Sequence, residues 1–464
     1  MKKTVIIGSG PAGLAAGHRL CSQGIDTLIL EKDAQVGGLS RTIRRNGYGF
    51  DIGGHRFYTN NREVFEWWHD LLEEDFLRIP RLSRIYYRQT FFDYPISLSN
   101  VFTNIGLINS LLIFFSYIKS RLCPLKEESN LEQWLINRFG SRLYHIFFRQ
   151  YTEKVWGAPC RLISGDWAAE RIKGLSLSTA LKNAFSGGRD NEVKTLIKEF
   201  YYPKLGSGMM YEKAASEISK KGGRIRFNTE VVRINHDDKR IVSVLCKDSE
   251  SGNTFEMHAD FFCSSMPLTS LVEQMNPSAG EYILEMSKRL GYRALVMVYL
   301  IVDKKDLSDD NWIYINSSAV KVSRIQNFER WSRDMVAEPD KSSLGMEYFC
   351  DEKDAFWSQA DSSLIELAKE ELQKLGLCSH KDIREAFVVR MPKAYPFYGL
   401  DYKKSLKPLI DFVGNFSNLQ CIGRYGMFQY NNMDRSVYSG FLAAENILGK
   451  KNDLWSIDLD GPSG

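Results

Sequence analysis

The run Val5-Ile6-Ile7-Gly8-Ser9-Gly10-Pro11-Ala12-Gly13 decides the fold of this chain. Its β-branched start predicts a buried strand, and the Ala- and Leu-rich stretch after it predicts a helix. Its first glycine permits a tight turn, its second lets the backbone approach a pyrophosphate, and its third lets helix and strand pack closely. The next apolar run, Thr27-Leu28-Ile29-Leu30, ends at Glu31, which can accept hydrogen bonds from a ribose. This order of strand, glycine turn, helix, strand and acid predicts a dinucleotide-binding Rossmann-type unit.

Further glycine pairs indicate which dinucleotide is bound. The run Val36-Gly37-Gly38-Leu39-Ser40-Arg41-Thr42 follows the acid closely, and Phe50-Asp51-Ile52-Gly53-Gly54-His55-Arg56-Phe57 comes next. A nicotinamide-binding domain does not need glycines there, whereas FAD extends past this point toward its flavin. The order of the motifs therefore predicts FAD. The cofactor-binding residues expected in this part are Gly8, Gly10, Pro11, Ala12, Gly13, Glu31, Lys32, Gly37, Gly38, Leu39, Ser40, Gly53, Gly54 and His55.

Length and composition limit the class of protein. At 464 residues, with 44% hydrophobic and 25% charged residues, the chain is an ordinary globular protein of two or three expected domains. The net charge of +4 gives no basis for nucleic-acid binding. Eight cysteines without CxxC or metal-ligand spacing predict free thiols and no metal site. With no signal peptide before the glycine motif, we expect a cytoplasmic protein.

The apolar run from Leu107 to Ile118 bears on membrane contact. It is too short to span a bilayer, and Lys119 and Arg121 close it. We expect a helix buried within a domain, with a membrane-touching surface as the alternative.

The hydrophobic periodicity changes along the chain. Residues 1–60 alternate strand and helix, residues 64–200 predict mainly helix with clustered aromatics, and residues 201–285 return to an α/β pattern. The later predicted elements are strands at Ala294–Val302, Trp312–Ile315, 386–391 and Leu419–Gly423, and a helix at Val437–Leu448.

Several segments spread over nearly the whole chain resemble one known family. They are Gly53–Thr59, Phe92-Asp93-Tyr94-Pro95, Tyr151-Thr152-Glu153-Lys154-Val155-Trp156-Gly157-Ala158-Pro159, Val322-Ser323-Arg324-Ile325, Tyr395-Pro396, Gly423-Arg424-Tyr425-Gly426 and Met433-Asp434-Arg435-Ser436. They resemble the UDP-galactopyranose mutase branch of the flavoprotein superfamily that includes amine oxidases and protoporphyrinogen oxidases.

The resemblance implies an α/β fold with a discontinuous Rossmann-type FAD-binding domain, an inserted helical domain and a mixed-sheet substrate domain. It implies FAD-binding parts at 1–96, 201–285 and 401–464, a helical insertion at 97–200 and a substrate domain at 286–400. FAD would be bound without a covalent link. The further cofactor contacts that it implies are Val231, Gly423, Arg424, Met433, Asp434 and Ser436.

The resemblance also implies a reaction. In such mutases the reduced flavin supplies N5 as a nucleophile for the anomeric carbon of a nucleotide sugar, and the ring recloses at a different size without net electron transfer. Arg324 would hold the diphosphate and His55 would contact the flavin, with an aromatic wall nearby. Gln429 stands where a second diphosphate arginine is expected, and glutamine cannot form a charged bidentate clamp. The implied catalytic-site residues are His55, Arg324, Trp156, Tyr151, Tyr395 and Gln429.

Other cations are candidates for the same cleft. Lys154 could contact phosphate or could place its charge at a helix end. Arg56 and Arg84 are candidates for further positive charge, and the sequence does not rank them.

Two functions stay open. Tyr151, Trp156 and Arg324 favour an FAD-dependent nucleotide-sugar mutase in glycan or surface-polysaccharide biosynthesis, active with reduced FAD. Gln429 keeps open an FAD-dependent oxidoreductase of the amine oxidase or protoporphyrinogen oxidase type. The expected partner is a nucleotide sugar or another small molecule. Since no second dinucleotide motif is evident, NAD(P)H or a reductase would bind transiently. A homodimer stays open, and neither nucleic acid nor membrane contact is expected.

Overall fold

The computed structural model of the protein describes residues 2–94, 104–166 and 198–457. Pro95 and parts of the predicted helical insertion, at 97–103 and 167–197, lie outside the described residues.

Five sheets are formed by the strands of the described part. The strands are β1 (Lys3–Ile7), β2 (Asp26–Leu30), β3 (Thr42–Arg45), β4 (Tyr48–Asp51), β5 (Phe76–Pro80), β6 (Ser83–Tyr87), β7 (Thr90–Asp93), β8 (Glu199–Pro203), β9 (Arg224–Arg226), β10 (Thr229–His236), β11 (Ile241–Asp248), β12 (Thr254–His258), β13 (Phe261–Ser264), β14 (Met275–Asn276), β15 (Tyr292–Val302), β16 (Trp312–Ile315), β17 (Arg324–Asn327), β18 (Ser342–Cys350), β19 (Ile383–Pro396) and β20 (Leu419–Cys421).

The helices longer than five residues connect and cover these strands. They are α1 (Pro11–Ser22), α2 (Arg62–Leu72), α3 (Leu107–Leu122), α4 (Leu131–Phe139), α5 (Arg149–Trp156), α6 (Gly208–Lys220), α7 (Leu268–Glu273), α8 (Glu281–Lys288), α9 (Asp361–Lys374), α10 (Tyr402–Gly414) and α11 (Met433–Ile447).

The predicted Rossmann-type unit is a parallel sheet with the strand order β20-β13-β1-β2-β9. Helix α1 follows β1 and packs against both α6 and α11. A Cβ atom at Gly13 would lie 2.0 Å from the carbonyl oxygen of Gly8, and one at Gly440 would lie 2.2 Å from that of Ala12. These positions therefore admit only glycine, and the close packing holds the N-terminus of α1 at the carboxyl edge of the sheet.

A second, mixed sheet has the strand order β19-β15-β18-β17-β16-β6-β7. Strand β6 joins it by parallel pairing of Ser83 with Trp312 and of Ile85 with Tyr314. The mainly helical pattern predicted for residues 64–200 included β6 and β7, so the structure corrects that pattern. The domain boundary predicted at residue 96 stays a prediction. The parallel partner of β6, β16, lies more than 200 residues away in the chain, and a local pattern cannot reveal it.

Helix α3 differs from its prediction. Ser110, Ile113, Tyr117 and Ser120 are its buried residues. Its large apolar side chains lie outside, with exposed fractions of 68% for Leu107, 75% for Ile108 and 62% for Phe115. The expectation of a buried apolar helix is therefore wrong for this face, because α3 packs only through a narrow stripe.

Among the described residues, no helix combines the length and the apolar character needed to cross a bilayer.

Candidate functional site

The first glycine turn leaves open space at the N-terminus of α1. Gly37 donates a backbone hydrogen bond to the oxygen of Ser9 at 2.9 Å, so the second glycine pair lies directly on the first turn. A Cβ atom at Gly10 would meet no atom within 4 Å. Because the free N–H groups of a helix N-terminus attract anions, this open, glycine-lined space fits a pyrophosphate.

Glu31 is buried at the end of β2 and already holds the turn. Its Oε2 accepts hydrogen bonds from the backbone N and the Oγ of Ser9, both at 2.7 Å, and its Oε1 accepts from Asp33 N at 3.0 Å. A carboxylate has about four acceptor positions, so one remains for a ribose hydroxyl. The backbone N of Thr229 donates to Glu31 O at 2.8 Å, which brings β10 and its residue Val231 to the same edge. Lys32, by contrast, is exposed.

The C-terminal glycine segment closes the other side of this space. Gly423 N donates to Ser439 Oγ at 2.9 Å, and a Cβ atom at Gly423 would lie 3.0 Å from the Cβ of Ala12. Met433, Asp434 and Ser436 form the first turn of α11 and are buried. The predicted cofactor residues of both chain ends therefore surround one space at the carboxyl edge of the parallel sheet.

Asp51 anchors the third glycine segment. Its Oδ1 accepts from Thr42 Oγ1 at 2.6 Å and its Oδ2 accepts from Tyr202 Oη at 2.7 Å. Its backbone oxygen accepts from Tyr299 Oη at 2.9 Å, which ties this hairpin to the mixed sheet. Burial raises the pKa of the Asp51 carboxyl, although its hydrogen bonds oppose the change. Gly53 and Gly54 follow from this fixed point.

His55 lies next to the mixed sheet. A Cβ atom at the preceding Gly54 would lie 3.0 Å from Gln326 Nε2, so the backbone passes directly over β17. Burial, with the charges of Arg424 and Arg324, lowers the pKa of His55 to about 3. Its Nδ1 is buried and has no hydrogen-bond partner in the described structure. A neutral imidazole with an unused nitrogen fits the polar edge of a flavin beside it.

Arg324 is paired with a buried carboxylate. Its Nε donates to Oε1 of Glu347 at 2.9 Å and its Nη2 donates to Oε2 at 2.5 Å. Gln326 Nε2 donates to the same Oε1 at 2.6 Å, and Glu347 is fully buried. Although burial alone would lower the pKa of Arg324, the charge of Glu347 outweighs it and raises that pKa. The guanidinium stays charged, the pair is neutral as a whole, and Nη1 makes no hydrogen bond to the residues that the structure describes.

An aromatic cluster, defined as Trp156, Tyr395, Phe397 and Tyr430, lies beside Arg324. Tyr395 and Tyr430 stack with ring centroids 5.1 Å apart, and Trp156 meets the edge of Tyr430 at 6.1 Å. The guanidinium of Arg424 lies over both tyrosine rings, 5.1 and 5.0 Å from their centroids. The structure therefore brings two predicted residues, Trp156 and Tyr395, into contact with one that the sequence reasoning missed, Tyr430.

Tyr151 reaches the same surface from α5. Its ring meets Tyr314 edge-on at 5.5 Å, and Tyr314 pairs directly with Arg324 across two strands. Burial raises the pKa of Tyr151, so its hydroxyl stays protonated.

Gln429 points elsewhere. Its Nε2 donates to the carbonyl oxygen of Trp455 at 3.4 Å, toward the C-terminal segment. The backbone N of the next residue, Tyr430, donates to Tyr398 Oη at 2.8 Å and fixes the loop that carries both. In this arrangement Tyr430, rather than Gln429, is the residue of the loop that joins the aromatic cluster.

Lys154 and Arg84 also have partners within the protein. Lys154 Nζ donates to the carbonyl oxygens of Ser317, Val320 and Val322 at 2.8 to 3.0 Å, and burial lowers its pKa to about 8. Arg84 pairs with the buried carboxylate of Asp310 through Nε at 2.8 Å and Nη2 at 2.6 Å. Neither cation is directed to a phosphate here.

Comparison with known proteins identifies the family. The family model described as flavin containing amine oxidoreductase matches residues 11–448. A 1-hydroxycarotenoid 3,4-desaturase of Flavobacterium sp. (strain P99-3) is 26% identical over 268 residues, which cover 53% of each chain. The chain thus spans about half the length of this curated relative.

Two solved structures agree with the fold over nearly the whole chain. Reduced UDP-galactopyranose mutase has a TM-score of 0.82 at 22% identity, with 98% of this chain and 97% of that chain covered. An oxidoreductase from Methanosarcina mazei has a TM-score of 0.65 at 15% identity, with 97% and 100% covered. The α/β fold and the family match leave one conclusion: the chain belongs to the flavin-containing amine oxidoreductases and is a flavin enzyme whose cofactor is FAD.

Proposed function

We propose that the protein is an FAD-dependent mutase that isomerises the ring of a nucleotide sugar in glycan or surface-polysaccharide biosynthesis. The observation that carries the proposal is the position of Arg324 between two aromatic groups. The aromatic cluster lies on one side of it, and Tyr151 with Tyr314 lies on the other. A nucleotide sugar offers a base that stacks on aromatic rings and a diphosphate that accepts hydrogen bonds from a guanidinium.

Different residues of the cleft would bind the diphosphate and the cofactor. Nη1 of Arg324 would orient the diphosphate, and the protonated hydroxyl of Tyr151 would donate a hydrogen bond beside it. His55 stays uncharged at neutral pH and would contact the cofactor through Nδ1. When bound and reduced, FAD supplies a nucleophilic N5 for chemistry at the anomeric carbon. FAD is proposed to bind without a covalent link.

An oxidoreductase is the second candidate, and the desaturase name of the curated relative favours it. A carotenoid, however, is a long apolar polyene. The cleft described above contains Arg324, Arg424 and several tyrosine hydroxyls, a lining that suits a polar anion better. We therefore rank the mutase first.

An anaerobic assay separates the two candidates. The FAD-loaded protein is mixed with a panel of nucleotide sugars, once oxidised and once reduced with dithionite, and the products are resolved by chromatography. A mutase isomerises a sugar only after reduction and consumes no reductant stoichiometrically. Bleaching of the oxidised flavin band by a substrate alone would overturn the mutase proposal.

We also propose a source of electrons for FAD and a location of the protein in the cell. NAD(P)H or a reductase would bind transiently to reduce FAD. A cytoplasmic location is supported by the eight cysteines, all of which are free thiols.

A further inference from the structure

Arg56 is a cation of the cleft that has no acidic partner in the described structure. Its Nη1 is buried and makes no hydrogen bond. Its guanidinium lies over the ring of Trp312, 5.8 Å from the centroid. Burying a charge without a counterion or hydrogen bonds is costly, so such a group calls for an explanation.

Three other arginines of this region differ from Arg56. Arg324 pairs with Glu347, Arg84 pairs with Asp310, and Arg424 donates to the carbonyl oxygen of Asn431 at 2.9 Å. Their charge or their N–H groups are taken up by the protein itself.

The surroundings of Arg56 are positive and aromatic. Arg81 lies over the same Trp312 ring, 5.4 Å from its centroid, and over Tyr94 at 5.2 Å. Burial lowers the pKa of Arg56, the charges of Arg81 and Arg324 lower it further, and Tyr314 and Tyr94 oppose them. Two neighbouring guanidiniums on one indole ring form the electrostatic setting of an oxyanion site.

The position of Arg56 indicates which part of a substrate would meet it. In the mixed sheet Tyr395 lies on β19, Arg324 on β17 and Trp312 on β16, with β6 next. Arg56 is therefore on the far side of Arg324 from the aromatic cluster, and it is adjacent to His55 in the chain. If the base stacks on the cluster and the diphosphate meets Arg324, the sugar lies toward His55 and Arg56. This step rests on the proposed function.

We propose that Arg56 is a specificity-determining residue that binds an anionic substituent, a carboxylate or a phosphate, on the sugar of the substrate. The substrate class is then an acidic nucleotide sugar. Trp312 holds the guanidinium in place, and the oxyanion supplies the counterion that Arg56 lacks among the described residues.

The test is a calorimetric titration of the FAD-loaded enzyme with two simple anions, malonate and inorganic phosphate. At least one of them should bind the wild type, and the preferred anion tells a carboxylate from a phosphate. R56Q should weaken that binding at least tenfold, and R56K should keep part of it. R88Q is the matched control, because Arg88 is exposed at the turn between β6 and β7 and carries the same charge.

Each result supports or overturns the inference. Equal anion affinity in R56Q and wild type overturns it, as does a wild type that binds neither anion. If R56Q loses FAD, R56K is compared with wild type instead. The inference is then overturned if R56K binds both anions with the affinity of wild type.

Turnover separates the inference from the proposed function. With UDP-glucuronate and UDP-galactose as an acidic and a neutral probe, R56Q should lower kcat/KM only for the acidic sugar. Arg56-dependent anion binding without turnover of any nucleotide sugar contradicts the mutase and retains the anion site. Isomerisation of a nucleotide sugar, together with anion binding that does not depend on Arg56, supports the mutase and contradicts the anion site.

Discussion

Lys154 and Glu371 both form hydrogen bonds with the backbone of the loop at residues 320–322. Lys154 Nζ donates to the carbonyl oxygens of Val320 and Val322, both at 3.0 Å, while Glu371 Oε2 accepts from the backbone N of Val322 at 3.0 Å. Glu371 Oε1 also accepts from Lys321 N. The loop leads directly into β17, whose first residue is Arg324. The two charges therefore position Arg324 without touching it.

Replacing Lys154 should loosen this loop. We expect K154M to lower the free energy of unfolding by about 2–4 kcal/mol, because several buried carbonyl groups lose their donor. It should also raise KM for the substrate more than it lowers kcat, since Arg324 loses its support. Denaturant unfolding and steady-state kinetics measure the two effects. K119M, at an exposed position on α3, is the control, and equal behaviour of both variants would contradict the positioning role.

Removing Arg324 should leave Glu347 buried and unpaired. We expect R324M to cost about 3–5 kcal/mol of folding free energy, whereas the double variant R324M/E347L recovers much of that loss. FAD content should stay the same in both, while the affinity for a nucleotide sugar falls. Calorimetric unfolding and flavin absorbance provide the measurements. Loss of FAD from the double variant would show that the residue serves the cofactor instead.

Glu31 should control FAD affinity. E31Q is expected to weaken FAD binding tenfold or more, because a hydrogen bond to a charged acceptor contributes about 1.5–3 kcal/mol. Fluorescence titration of the apoprotein measures the change. E74Q removes the same charge at an exposed position and serves as the control. Unchanged affinity in E31Q would place the ribose elsewhere.

His55 should add a pH-dependent part to stability. Its pKa falls from the ordinary 6.5 to about 3 in the folded protein, so between these values the unfolded chain binds more protons. This contribution is complete above pH 6.5 and is lost as the pH falls toward 3. Urea unfolding from pH 7 to 4 should show a smaller loss for H55N than for wild type. H69N, at an exposed histidine of α2, should follow the wild type. A slope for H55N equal to that of wild type would exclude a neutral, buried His55.

The Rossmann-type unit could be predicted from the sequence because its determinants are local. Gly8, Gly13 and Glu31 lie within one strand-turn-helix-strand unit. The glycines act through backbone geometry, and the Glu31 carboxylate accepts hydrogen bonds from Ser9 of the same unit. The resemblance to the mutases added Trp156, Tyr395 and Arg324, which the structure brings into one cleft. Their roles there stay predictions.

The rest depends on contacts between distant segments. Tyr314 faces Arg324 only because β16 pairs with β17, and β6 pairs in parallel with β16 more than 200 residues later. Glu347 left one signal, a lone acid in an apolar strand, which indicates a buried charge with a partner. The outward orientation of the apolar face of α3 has no such signal in the sequence, because an apolar helix can pack with either face toward the protein.

The strand β20, which completes the parallel sheet beside β13, has a consequence for biosynthesis. The first glycine turn leaves the ribosome long before β20 and α11, which come from residues 419–447. The glycine turn therefore waits for these later elements before its binding space is closed. FAD loading requires their synthesis, and ribosome-bound chains arrested before residue 419 should retain little flavin.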